Sequence, residues 1–595
     1  MIGFKIADDF LSLPPDTSIT ITLQNPIFAE NGIIPGSYSI PFNVPVNEQN
    51  IPLLGRQHVV ESTARFPRSI LAHLFLKGTP WMQGELKIRK VNGSKYNVNF
   101  QSGIRNLGAD FRDKRIRELV DQTYTVNTNL YYKRIILQNK TGETGPYTIT
   151  VNGESFTFDT LQEFQPAIDA LEDVSCFYYP DGWTDDTHAL YIQGQPAWDP
   201  LTPIGVKVDD ESRYNVILDA VDDFFADYIA WLQQYNSDTP PDDVIRFPMM
   251  ENRGAYKEGV TYGIINNQLS NTYVGNGVSD WISVNASSLS PCVMLRHVLD
   301  KIEEFGNVKL KGEFIDDYTL QTLIFWNGNS LDVPLETLGD NRPLIFWRRV
   351  FNVNEFVPDL TVGELIKGLQ TFFNLEVRYD ASNRTIWMNF RDNIVTNRAY
   401  VDLTDRSGPV LDFENEESEG LTLKSKADTA DKYIRTGELD PDTPLVIGEG
   451  KLQIESILSS VPNGLHNASN EVFRPPQVEM EFREDFAARL MFYRGRQESA
   501  TGKTYIAASQ DTDTHSLAWT TDTGLYYTYW KNYVRFLLNR GHIERTINFH
   551  VKDLINLDWT RKIRIDRVNY LINTISLNVS MRGVKASKVT LYRVQ

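Results

Sequence analysis

Eight histidines, His58, His73, His188, His297, His466, His515, His542 and His550, are the first candidates for metal or general-base chemistry. No two of them form the HExxH pair that sets two imidazoles on one helix face around zinc. His542 and His550 fall in or near one strand segment, on the same side but too far apart to share an ion, so a structural or surface role is the better reading. His297, beside Arg296 in a helical pattern, reads as a solvent-side or interface residue. There is no GxxxxGK[ST] loop, no GxGxxG after a strand and no GxSxG elbow, which removes the short motifs for nucleotide binding and serine hydrolysis. The nearest glycine cluster, GNGVSD at 275–280, lacks the lysine and the helix that would hold a phosphate. DGWTDDTH at 181–188 gathers carboxylates without the spacing or final Glu of a calcium loop, so it reads as a solvated turn. Sugar hydrolysis requires two carboxyl groups about 5–9.5 Å apart, and the pairs Asp222/Asp223 and Asp316/Asp317 read more simply as exposed charges. Cys176 and Cys292 stand in unrelated contexts and make neither a disulfide framework nor a thiolate cluster. No catalytic, cofactor-binding or metal-binding residue is assigned, and no cofactor is expected.

Rings are the chemistry that remains. The chain carries 27 Tyr, 31 Phe and 11 Trp among 595 residues, beside 2 Cys and 9 Met. WTDDTHALYIQGQPAW brings Trp183, Tyr191 and Trp198 into a polar neighbourhood, and YYTYWKNY packs Tyr526, Tyr527, Tyr529, Trp530 and Tyr533 together. Such rings bury large rigid area at small entropic cost, so they serve as interface anchors, as cores of small β domains, or as platforms for glycans.

The elements that must position these rings are mostly short strands. At about 150 residues per domain the length corresponds to roughly four domains. Acidic residues outnumber basic ones by 77 to 59, a net charge of -18, which repels phosphate backbones and argues against general nucleic-acid binding. Hydrophobic and charged fractions of 41% and 23% match ordinary packed domains rather than disorder. The first residues carry no signal-like leader and no window approaches a membrane span, which leads us to expect a cytoplasmic product with no membrane anchor of its own.

SITITLQ, with Ile19, Ile21 and Leu23, starts a first β-rich domain (1–125) by period-2 alternation. In the stretch after it Tyr38, Ile40 and Phe42 repeat with the same period between Pro35, Pro41 and Pro45, the pattern of an edge strand or an extended arm. Asn92-Gly93 between alternating runs predicts a hairpin, and 110–121 reads as a charged helix. A β segment (126–175) leads into a loop-rich aromatic insertion (176–290), with an apolar stripe over Val216–Leu232. Two capped helices mark an α+β domain (291–410). The first is expected from Ser290 and Pro291 at its start to Gly306 at its end, and the second from the Thr361/Glu364 capping box. The second feeds a hairpin over NLEVRYDASNRTIWMNF. The last domain (411–595) is β-rich to its end. The fold class expected is multidomain, mainly β with α+β subdomains, containing β-sandwich or barrel-like hub domains.

LQNPIFAENGIIPGSYSIPFNVPVNEQNIPLLG, GTPWMQGELKIRKVNGSKYNVNFQSG and DLTVGELIKGLQTFFNLEVRYDASNRTIWM resemble virion tail proteins of tailed phages infecting Bacteroidetes, including the crAss-like group. The stronger match covers about the first 120 residues. The resemblance implies a tail-hub or baseplate component of the virion tail, with β-rich domains in a closed ring, and it implies no catalytic residue. Partners would be further copies of the chain (a trimer or hexamer) and other tail proteins, with DNA at most passing a central channel. The interface candidates are Pro35, Tyr38, Ile40, Phe42, Pro45, Trp183, Tyr191, Trp198 and Trp530, and the arm 26–52 is expected to lie against a neighbouring subunit. Two rival functions stay open: a receptor-binding or fibre-attachment module, which predicts that 175–290 projects outward, and a glycan-degrading tail enzyme, with Trp183 and Trp198 lining a sugar groove.

Overall fold

The computed structural model describes residues 2–28, 36–56, 69–102, 108–126, 133–139, 145–151, 153–171, 174–179, 189–194, 206–208, 214–220, 222–237, 239–255, 265–267, 288–335, 344–415, 420–438, 444–464, 475–498, 504–580 and 583–594. The chain is mainly β and multidomain, and its largest element is a sheet curled into a half-barrel.

Among the described residues that sheet has 15 strands, and it joins the two ends of the chain. Ser18–Gln24 buries Ile19, Ile21 and Leu23 on one face, as alternation predicts, and pairs antiparallel with Val568–Ser580 from Ser18↔Ser580 to Gln24↔Thr574. On one side of this seam follow Tyr38–Ser39, Lys95–Gln101, Thr79–Asn92, Ser69–Leu76, Ile2–Ile6 and Asp9–Phe10. On the other follow Ser587–Val594, Gly541–Ile547 and Ser407–Asn415. Strands from the segments 1–125 and 411–595 thus share one sheet and one core, in which Leu86, Val98 and Phe100 meet Ile575 and Leu577. The Asn92-Gly93 hairpin forms, with Asn92 opposite Lys95. A second tight hairpin joins Lys562–Ile565 to Val568–Ser580 through Asp566 and Arg567, both with positive φ.

The second unit is built on two helix-to-strand elements that meet in one sheet. Leu295–Gly306 leads to Lys309–Lys311 and Val362–Phe372 leads to Leu375–Asp380, and Thr385–Phe390 lies between the two strands. Asn307 and Asn374 take φ of 45° and 52° just beyond the helices, the left-handed conformation asparagine tolerates at a C-terminus. Asn307, not Gly306, therefore caps the first helix. Its start also differs from expectation: Ser290 is buried, with its hydroxyl on the Asn329 carbonyl at 2.9 Å, and Cys292–Met294 is a strand, so the helix begins at Leu295. Sheet pairing outcompetes the local N-cap signal there. The Thr361/Glu364 box forms as expected, with Thr361 N on Glu364 Oε2 at 2.8 Å and Glu364 N on Thr361 Oγ1 at 3.1 Å.

The charged stretch near 110–121 is two short helices, Gly108–Asp113 and Ile116–Leu119, instead of one. The stripe over Val216–Leu232 divides into a strand, Tyr214–Ala220, and a helix, Asp222–Tyr235. A third, smaller unit pairs Lys133–Asn139 with Ala189–Gly194 and Tyr214–Ala220, and its core holds Ile149, Phe164 and Ile192.

Candidate interaction surfaces

The proline-bearing segment is folded onto its own chain. Pro26 and Ile27 are buried in a short 3-10 turn, the Tyr533 hydroxyl donates to the Ile27 carbonyl at 3.0 Å, and the Phe28 ring meets Tyr592 edge-on at 4.7 Å. Tyr38–Ser39 pairs with Ser18–Gln24, and Phe42–Pro45 pairs with Lys95–Gln101. Tyr38, Ile40 and Phe42 do not share a face. Pro41 interrupts the pairing, so Ser39 and Phe42 point inward while Tyr38 and Ile40 stand 40% and 53% exposed. Phe42 stacks on Phe4 at 5.2 Å between ring centres and belongs to the core. Tyr38 and Ile40 are what this segment offers a partner, and Pro45 is half-buried at the other end of the partner strand, opposite Lys95.

A longer open surface lies at the far end of the sheet. Ser407–Asn415 pairs only with Gly541–Ile547, and no other described strand covers its second edge. Val410, Leu411 and Phe413 are 45%, 54% and 57% exposed. Two register shifts, at 407/410 and 410/412, bend the strand. Gly408 allows a close approach there: a Cβ would meet Thr546 Oγ1 at 2.4 Å unless that side chain turned away. Unpaired backbone groups beside apolar side chains are a template for strand addition, tempered here by Pro409, Asp412 and Glu414. Glu414 lies opposite His542, 3.3 Å from its Nε2. This edge was not singled out from sequence. The available signal was VLDF, an apolar run inside an acidic stretch.

The remaining ring candidates separate clearly. Trp530 is fully buried, its Nε1 donating to the Phe372 carbonyl at 3.4 Å and its ring 6.3 Å from Trp519, so it is a core residue of this chain. Tyr526–Trp530 and Lys531–Leu538 form one helical run that turns Tyr529, Trp530 and Tyr533 inward and leaves Tyr527 44% exposed. Tyr191 lies in the strand Ala189–Gly194, its side chain outside the description, and Pro35, Trp183 and Trp198 lie outside the described residues altogether.

Several groups of the types that could do chemistry are held in structural roles. Cys176 and Cys292 are buried, which pushes both thiols well above their ordinary pKa, and Cys292 Sγ lies 3.9 Å from Met250 Sδ. His297 is buried rather than solvent-side. His550 leaves the strand and caps the helix Val551–Ile555. Asp317 accepts from Thr319 N at 2.8 Å and Leu320 N at 3.1 Å, tying a turn. The runs 181–188 and 275–280 lie outside the described residues, as does the side-chain geometry of Asp222 and Asp223. Among the described residues no three His, Cys, Asp or Glu side chains gather as a metal site, and no helix is long and apolar enough to cross a membrane.

The sequence matches no protein-family model and none of the curated proteins. Among solved structures it is similar to the 43 kDa tail protein of prophage MuSo2 from Shewanella oneidensis, at 7% sequence identity and a TM-score of 0.33, with 99% of this chain and 97% of that chain covered.

Proposed function

We propose that this chain is a non-enzymatic structural component of a phage tail, of tail-hub or baseplate type, whose copies join through the edges of their long sheets. The observation that carries the self-association is that no other described strand pairs with the second edge of Ser407–Asn415, where Val410, Leu411 and Phe413 are exposed. The placement in a tail rests on the resemblance of the amino-terminal and helix-hairpin motifs to Bacteroidetes phage tail proteins. The partner at the edge is a second copy: the opposite end of the same sheet, Asp9–Phe10, is also a terminal strand, with Phe10 44% exposed. Joining unlike edges of identical subunits is a heterologous contact, which closes into a ring when the rotation per subunit divides a full turn. A trimer or hexamer in contact with other tail proteins is the assembly this implies. Light scattering on the purified full chain, across a concentration series, tests it. A discrete closed oligomer that assembles with concentration supports the reading, and a monomer at every concentration contradicts it.

A further inference from the structure

Where the long sheet meets the second unit, a cavity of about 570 Å³ is lined by Arg398, Arg535, Lys562, Arg564 and Arg593 and by no Asp or Glu among the described residues. None of these five cations has a carboxylate within ion-pair distance among the described residues. In a chain of net charge -18 this is a local reversal of sign. Lys562 is only 5% exposed, and its ammonium has no hydrogen-bond partner in the described protein, although burial holds its pKa below the ordinary lysine value. Arg564 is oriented from two sides, its Nε on Asn569 Oδ1 at 3.0 Å and its guanidinium 3.8 Å from the centre of the Tyr400 ring.

One lysine and four arginines with no carboxylate in ion-pair contact concentrate positive charge around one concave site, and a cleft lined by one sign of charge attracts an anion. Guanidinium forks match phosphate and carboxylate oxygens, so charge density must decide between them. A sphere of the cavity's volume is about 10 Å across, whereas acidic residues on one face of an extended peptide recur every ~7 Å, so no more than two carboxylates would fit. An oligophosphate links its charged groups through single bridging oxygens and delivers several charges in the same space. We propose that this cavity binds an oligophosphate group, either a free polyphosphate or the phosphate chain of a nucleotide.

Calorimetric titration of the full-length chain with tripolyphosphate at low ionic strength tests the site. One molecule per chain is expected, with affinity falling as salt rises. Lys562→Met and the exposed Arg593→Gln are each expected to weaken binding about tenfold or more, the loss of one charge-assisted contact. Lys562→Met is also expected to raise the melting temperature of the ligand-free protein, which separates loss of binding from loss of fold. ATP serves as the second arm: tighter binding than tripolyphosphate assigns the phosphate source to a nucleotide, and equal binding assigns it to free oligophosphate, both within the proposal. Absence of tripolyphosphate binding, unchanged affinity in Lys562→Met, or tighter binding of an oligo-aspartate peptide would each overturn it.

Discussion

The side-chain amide of Asn25 donates to the carbonyl of Ile572 at 2.6 Å, across 547 residues of chain. The Asn25 backbone N–H reaches the Asn573 carbonyl at 2.9 Å, and its Oδ1 accepts from Ile27 N at 3.0 Å. Thr574 follows a register shift in the pairing of the 568–580 and 587–594 strands, so Asn25 meets backbone groups at an irregular point of the ladder. The residues just after it then enter the core of the second unit through Ile27. One buried asparagine thus fastens both ends of the chain and both large units.

Replacing Asn25 by Ala should destabilise the fold by about 1–3 kcal/mol, the penalty for leaving buried partners unpaired. Chemical denaturation measures it. Deleting 26–52 should cost far more: it removes Ile27, Phe42 and Val44 from two cores, so the long sheet loses its native circular-dichroism signature and protease resistance instead of merely failing to assemble. Retention of a native monomer after that deletion would show the segment to be a free arm.

Arg489 and Asp431 form an ion pair at 2.8 Å with both side chains fully buried, and the Arg489 guanidinium lies 5.3 Å from the Trp326 ring centre. Asp431→Asn is expected to cost about 3–5 kcal/mol in equilibrium denaturation, because a fully buried cation loses its nearer counter-charge and keeps only Asp428, 4.0 Å away. Replacing both residues by apolar ones of similar volume should recover most of that loss.

Burial lowers the pKa of His297, Lys301 adds to the effect, and Asp300, Asp242 and Glu304 oppose it. Its Nε2 is buried without a hydrogen-bond partner among the described residues. Between the ordinary histidine value of about 6.5 and the lower folded value, the unfolded chain binds a proton that the folded chain does not. Stability therefore falls as pH drops through that window, by at most about 1.4 kcal/mol per pH unit from this one group. Melting temperatures of wild type and His297→Leu between pH 7 and 5 should diverge, with the variant showing the shallower decline.

Leu411→Lys and Phe413→Lys should weaken self-association while leaving stability within about 0.5 kcal/mol, since both side chains are exposed in the single chain. Light scattering and thermal melting on the same samples separate the two effects. Equal oligomerisation in the double variant would move the contact elsewhere.

Local signals carried much of the fold. Alternation located Ser18–Gln24, Asn92-Gly93 located a hairpin, and Thr361 with Glu364 located a helix start, because each depends on neighbours a few residues away. The Ser290–Pro291 signal failed because pairing of Cys292–Met294 with Leu323–Trp326 decides the backbone there. Trp530 was readable as core from the helical spacing of Tyr526, Tyr529, Trp530 and Tyr533, a period that a reading in terms of ring clusters overlooks. The basic cavity had no local signal beyond Lys562 and Arg564 at i and i+2 in one strand, since Arg398, Arg535 and Arg593 reach it only through tertiary structure. Strand Ser407–Asn415 could be expected as a strand, but being the last one of a sheet is a property of topology.

Electron microscopy of the assembled tail, at a resolution that traces backbone, tests the central claim most directly. Several copies are expected in a closed ring about the tail axis, with Ser407–Asn415 of each continued by a strand of its neighbour. Copies projecting separately from the tail with that edge uncovered, or the absence of the chain from the particle, would contradict it.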